Sequence, residues 1–327
     1  MNNKVNQVIK NWQSDFKGKH QNTYKFCLQL AILDNVNSLT DNTLSLDTII
    51  KYFYKKYWDN VNLYNIRESN NLRQLPYYHK YVKGLCVEYS AQGLSFTKAI
   101  KLHSTLNSKL VNSPTSSTLS NPISRLQHDS GTQQANGSAT GTGWLYEWDL
   151  IQQSLIFNDR VIDDIRAHKD ILKQLTIYQW AKFIEKYNTL PSVINKLEED
   201  RKRPPWRSEQ KKFLKQVHNG LCFYCPTPID MEGRDYEIDH FIPFAYIFGN
   251  PTWNLVTSCK ACNRGISGKF EKVPTEKFLK KLIERNSKEF KFLESHHKEF
   301  QSQDDLKDFI SKQYTSCINS GFKEWEK

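Results

Sequence analysis

The sequence predicts an α+β protein: a mainly α N-terminal module, then a small β-β-α unit with a helical tail. Three observations predict it. Apolar residues recur at helical spacing through much of residues 1–200. Two short strand-like runs, 236–243 and 253–257, lie close together further on. Four of the seven cysteines form two Cys-x-x-Cys pairs, Cys222/Cys225 and Cys259/Cys262, that bracket those runs. A chain of 327 residues is long enough for two domains and a sizeable core.

Composition narrows the class. Hydrophobic residues make up 38% and charged residues 25%, which fits a folded chain rather than wholesale disorder. The formal net charge of +11 favours a polyanionic partner, most simply nucleic acid. The cysteines are too sparse for a secreted disulfide scaffold, and Cys27 and Cys86 sit in apolar contexts expected to bury them as thiols. No apolar stretch follows Met1-Asn2-Asn3-Lys4, and no 18-residue apolar run occurs. The expectation is a cytoplasmic protein with no membrane partner.

The elements follow in order. Residues 5–34 read as two helices, one marked by Val5, Val8, Ile9 and Trp12, the other by Tyr24, Cys27, Leu28, Leu30, Ala31 and Leu33. Leu46, Ile49, Ile50, Phe53 and Tyr57 give a third, with Ser45 or Asp47 near its start. Its interleaved Lys and Tyr residues, 51–57, fit either a nucleic-acid face or a Tyr/Phe core stripe with a solvated Lys face. Ordinary amphipathicity favours the core stripe. More helical signal follows at 77–81 and 89–102, where His79 and His103 have no partner at ligand spacing and read as structural. Residues 104–143 are rich in Ser, Thr, Asn, Gln and Gly and bury too little to offset ordering entropy. They read as a long flexible insertion or, with less support, as a segment that orders on DNA. Residues 144–148 and 154–157 look like a hairpin, and 161–187 like one long helix. Arg201-Lys202-Arg203-Pro204-Pro205-Trp206-Arg207 marks the boundary, as a solvated hinge or a phosphate contact. The expected domains are 1–200, for recognition or interaction, then 201–272, then a helical extension, 273–327.

The chemistry is concentrated between 222 and 269. A Cys-x-x-Cys turn lets two thiolates reach one ion, and two such turns complete a tetrahedral zinc site. Residues 226–258 separate the inner cysteines, so the ion ties together the ends of a unit too small to hold a core of its own. Within this frame lie Asp239-His240 at the end of the first strand, Asn254 at the start of the second, and Asn263 just after the last cysteine, where a short helix begins.

This order, Asp-His-Phe-Ile-Pro, then Asn-Leu-Val, then Cys-x-x-Cys-Asn, resembles the zinc-bearing branch of the HNH (ββα-metal) endonucleases over about residues 208–270. The resemblance implies a metal-dependent hydrolase of DNA phosphodiesters, with duplex DNA as partner. His240 is then the general base, and Asp239 and Asn263 are oxygen ligands of a catalytic Mg²⁺ or Mn²⁺. Asn254 braces the loop and fixes the His240 ring. Cys222, Cys225, Cys259 and Cys262 hold a separate structural Zn²⁺. The family often has Lys three residues after the last Asn; here Ile266 stands there. Arg264 and Lys269 lie nearby as candidate phosphate-binding residues. Other readings are a zinc-stabilised DNA-binding protein without cleavage, a partner-gated nuclease subunit, or an RNase. At the level of family analogy, a nuclease with an added module is expected to serve restriction or anti-phage defence, alone, as a homodimer or with a protein partner.

Overall fold

The computed structural model describes residues 8–13, 23–69, 76–89, 122–123, 126, 140–149, 151–198, 204–230 and 236–327. Most of the polar insertion at 104–143, together with His103 and Arg201-Lys202-Arg203, lies outside them. The chain divides into two compact units, 1–188 and 189–327. The second unit therefore takes in 189–198 as well as the two segments, 201–272 and 273–327, that the sequence separates. Helix and strand are both present, as an α+β class requires. No helix among the described residues is long and apolar enough to cross a membrane.

In the first unit, α1 (Tyr24–Asn35), α2 (Leu46–Tyr57) and α3 (Tyr77–Tyr89) assemble around aromatic side chains. The α1 stretch Phe26–Leu33 is buried throughout, so this is a core helix rather than an amphipathic one. Ser45 caps α2 by accepting from the Thr48 amide. Two of the three α2 tyrosines go to the core: Tyr54 and Tyr57 are fully buried, and Tyr24, Phe53 and Tyr57 meet Tyr78 of α3, but Lys56 is buried with them rather than solvated. His79 is buried, and that burial lowers its pKa to about 4.

A four-stranded antiparallel sheet follows, in the order β1-β4-β3-β2. Its strands are β1 (Thr43–Ser45), β2 (Thr140–Thr142), β3 (Tyr146–Asp149) and β4 (Ser154–Phe157). The expected hairpin is β3–β4, with Tyr146 opposite Phe157. Both edge strands, β1 and β2, come from stretches too short and polar to show strand periodicity. The single helix expected over 161–187 is two, α4 (Asp159–Ala167) and α5 (Lys169–Ile184), broken at His168. The Asp164 carbonyl, which accepts the His168 amide at 3.2 Å, is also bonded by the His168 ring at 2.7 Å where α4 ends. From α5, Trp180 stacks on Phe26 of α1, and Thr176 accepts from Trp12 at 3.0 Å.

The second unit is built on one two-stranded antiparallel ribbon, β5 (Tyr236–His240) with β6 (Leu255–Cys259). Ahead of it lie α6 (Val193–Leu197) and α7 (Ser208–His218); α8 (Phe244–Ile247) fills the connection and α9 (Lys260–Arg264) follows β6. The tail holds β7 (Val273–Pro274), α10 (Glu276–Lys288), α11 (Phe290–His296), α12 (Gln303–Asn319) and β8 (Glu324–Trp325). The tail packs on the ribbon. Buried Arg285 donates to the carbonyls of Trp253 and Leu255, and Asn286 also donates to Trp253. Phe292 stacks on Phe213 of α7 at 4.5 Å, and Phe278 lies against Phe223 of the first knuckle.

Candidate active site

The ribbon, α9 and the two knuckles form one continuous device. The first knuckle follows α7, where Leu221 bridges to Pro228 and Phe223 donates its amide to the Thr257 carbonyl of β6. The second knuckle is the end of β6 and the first turn of α9. The four Sγ atoms of Cys222, Cys225, Cys259 and Cys262 all lie within 4.8 Å of one another. Four thiols this close, from two tight turns, fit a tetrahedral zinc ion. Lys327 donates to Cys262 Sγ at 2.7 Å and the Cys259 amide to Cys222 Sγ at 3.4 Å, bonds that favour thiolate sulfur.

Strand alternation then sets the chemistry. Glu237 and Asp239 are two apart on β5 and so share a face. Together with Tyr236, Ile238 and His240 they line a cleft of about 710 Å³. Asn263, Arg264, Lys269 and Phe270 form one side of it, and Pro204, Pro205, Trp206 and Lys211 another. Asp239, His240 and Asn263 thus meet at one cleft, although Asn263 follows the adjacent Asp239 and His240 only after the whole of β6.

Each residue has defined neighbours. Asp239 is buried at 7% exposure; Oδ2 accepts from the Tyr224 hydroxyl at 2.7 Å, and the Lys269 ammonium lies 3.3 Å away. Burial pushes its carboxyl above the usual carboxylate range, while Lys269 and Tyr224 pull the other way. The His240 ring lies between Trp206 and Phe244, with centroids 5.3 and 5.2 Å away. Its Nε2 lies 2.8 Å from Asn250 Oδ1. Fully buried Asn254 closes a ring of bonds on the turn after His240. Its Oδ1 accepts from the Ile242 amide and its Nδ2 donates to the Ile242 carbonyl, both at 2.8 Å. Asn263 Nδ2 donates to Glu237 Oε2 at 2.8 Å, and Arg264 pairs with the same carboxylate.

Two expected roles sit differently from the sequence reading. Lys269, read as a phosphate binder, has no exposed surface, and its ammonium bonds Asp239 and the carbonyls of His240 and Phe270. A lysine so enclosed serves Asp239 rather than a ligand in solution. Asn254 braces the loop, but the hydrogen bond to the His240 ring comes from Asn250. Arg264 remains exposed at the rim, paired with Glu237.

The sequence reading missed Glu237, Asn250, Trp206 and Tyr224. Glu237 had a signal, its position two before Asp239 on a strand. The other three depend on how the chain folds back and carry none. Gly265 and Gly268 allow the tight exit from α9. A Cβ on Gly265 would stand 2.6 Å from the Ala261 carbonyl oxygen, and one on Gly268 2.7 Å from the Gly265 nitrogen. The exit lets the Lys269 and Phe270 amides bond back to Cys262 and Asn263, which puts Lys269 beneath Asp239.

The donor set divides by hardness. The knuckles offer only sulfur, whereas the cleft offers carboxylate and amide oxygens from Asp239, Glu237 and Asn263, which suit a hard divalent cation. No curated protein and no solved structure gives a significant match to this chain. A family model described as HNH endonuclease matches residues 222–274, a span that contains both knuckles, the ribbon and α9. The similarity to HNH endonucleases thus falls on the segment that carries the cysteine cluster together with Asp239, His240 and Asn263.

Proposed function

We propose that this protein is a divalent-metal-dependent endonuclease that hydrolyses DNA phosphodiesters, with duplex DNA as substrate and a restriction or anti-phage role. The observation that carries the reading is the meeting of Asp239, His240 and Asn263 at one cleft inside a zinc-stapled ribbon. The net charge of +11 supports a nucleic-acid substrate.

In this reading His240 takes a proton from the water that attacks phosphorus. Imidazole can both take up and release a proton, which suits it to that task. Trp206 and Phe244 limit the ring's tilt, and Asn254 fixes the turn that carries it. Asp239 and Asn263 would hold a Mg²⁺ or Mn²⁺ ion through oxygen. Such an ion, when bound, supplies Lewis-acid stabilisation of the phosphate and the departing oxygen. Lys269 keeps Asp239 paired inside the protein, and Glu237 orients the Asn263 amide. Arg264 and Lys211, exposed at the rim, are placed to meet phosphates, which position a substrate without reading its sequence. Site choice then falls to residues 1–188 or to a partner. One such cleft cuts one strand, so a double-strand break requires two copies or two successive cuts.

A supercoiled-plasmid assay tests this. Wild type and His240→Ala, each with zinc content and fold verified, are compared in EDTA, Mg²⁺ and Mn²⁺, with RNA in parallel. Metal-dependent nicking of DNA that His240→Ala abolishes is the expected result. DNA binding with no cleavage under any metal would leave a zinc-stabilised binding protein instead, and cleavage confined to RNA would make it an RNase. Phage plaque counts with wild type and His240→Ala then test the defence role: equal counts would remove it.

A further inference from the structure

Asn250 lies in the turn between α8 and β6, outside the Asp-His, Asn and Cys-x-x-Cys-Asn positions of the motif. Its side chain makes two bonds of opposite polarity. Nδ2 donates to the Pro204 carbonyl at 2.8 Å, and Oδ1 lies 2.8 Å from His240 Nε2. A carbonyl only accepts, so the amide nitrogen must be the atom facing Pro204. The amide oxygen then faces the imidazole, and it too only accepts. His240 Nε2 must therefore be the ring nitrogen that carries hydrogen. In a neutral imidazole the proton-accepting nitrogen is then Nδ1.

We propose that Asn250 is a positioning residue: it holds His240 as the Nε2–H tautomer, makes Nδ1 the atom that accepts the proton, and links that choice to the 204–206 segment. The inference rests on the reading of His240 as general base. Asn250 is itself held on both sides. Its carbonyl accepts from the side chain of buried Gln210 at 2.7 Å, and Gln210 also accepts from the Arg207 amide at 3.0 Å. One short network thus runs from the start of α7 through Asn250 to the base. Trp206 of the same segment meets the ring at a 42° tilt with centroids 5.3 Å apart, so the segment touches both the imidazole and its hydrogen-bond partner. A turn-bracing role alone requires the Pro204 bond but not the bond to the ring.

The test uses the full-length, zinc-loaded chain labelled with ¹⁵N-histidine. Long-range ¹H–¹⁵N spectra report the tautomer, and His240→Ala identifies the His240 signals among those of the nine histidines. The comparison is made where the shifts themselves show a neutral ring. Wild type is expected to show Nε2–H. Asn250→Asp keeps an acceptor at the ring and is expected to keep that tautomer. Asn250→Ala is expected to show mixed tautomers, with kcat for nicking down at least about tenfold and KM for DNA within about twofold. Nδ1–H in wild type, or an unchanged ring in folded Asn250→Ala, overturns the proposal. If Asn250→Ala fails to fold, wild type and Asn250→Asp still decide it. A wild-type ring in the Nε2–H form without nicking would count against the nuclease reading and leave the tautomer assignment standing.

Discussion

Burial pushes the Asp239 carboxyl up while Lys269 and Tyr224 hold it down, and that balance can be measured. Lys269→Met keeps the volume of the lysine stem but leaves the carboxylate buried without its counter-charge. Breaking a buried pair from one side costs about 3–5 kcal/mol, so the urea midpoint of the second unit should fall accordingly. A midpoint unchanged from wild type would mean that the pair contributes nothing. Glu237 acts one step further from the chemistry. Because its carboxylate takes the Asn263 Nδ2, the Asn263 oxygen is the atom left for an ion. Glu237→Ala should weaken Mn²⁺ binding, followed by EPR without DNA, by about 10–100-fold. In an Asn263→Ala background the same change should have little further effect; additive losses would show that Glu237 works independently. The convergence of Asp239, His240 and Asn263 on one cleft, and the brace that Asn254 gives the loop, were legible in the sequence because their order within a short cysteine-framed stretch is itself informative. Lys269's true partner, the Asn250 contact and the Trp206 wall were not. Each depends on chain segments meeting from positions that no periodicity marks.

At the scale of elements, β5 and β6 are only five residues each, too short to hold together as an isolated ribbon. The cysteine knuckles at their ends, whose four thiols would hold a zinc ion, and the α10 side chains Arg285 and Asn286 hold them in place. Removing zinc with a chelator should raise amide hydrogen exchange across 236–240 and 255–259. Unchanged protection there would show that the tail alone suffices. In the first unit the matching weak point is Glu68. It is fully buried, accepting from Thr23, Asn60 and Trp180 at 2.6, 2.6 and 3.1 Å, and burial raises its pKa to about 7. A raised carboxyl binds its proton more tightly in the folded state. Its contribution is therefore complete below the unfolded pKa near 4.5 and is lost as pH rises through about 7. Calorimetry should show the first unit losing on the order of 2–3 kcal/mol between pH 4.5 and 7.5 relative to Glu68→Gln. Parallel pH profiles for the two proteins would remove Glu68 as the cause. Elements with a strong apolar period, such as α2 and the β3–β4 hairpin, were readable in advance. The break at His168 and the short edge strands β1 and β2 were not, because capping and pairing by distant residues decide them.

For the molecule as a whole, the proposed function assigns attraction to the basic chain and cutting to the cleft. Phosphate contacts release counterions, so affinity for DNA should fall linearly on a log–log plot against salt. Substituting Arg264 or Lys211 should each flatten that slope by about one unit without changing sequence preference. The central claim, that the cleft holding His240 cuts phosphodiesters with that imidazole as base, is tested most directly by chemical rescue. His240→Gly, shown to be folded and zinc-loaded, is assayed for plasmid nicking with increasing free imidazole. The account predicts no nicking without imidazole and concentration-dependent recovery with it, and no recovery for Asn263→Ala under the same conditions. Nicking by His240→Gly at the wild-type rate without imidazole would contradict it.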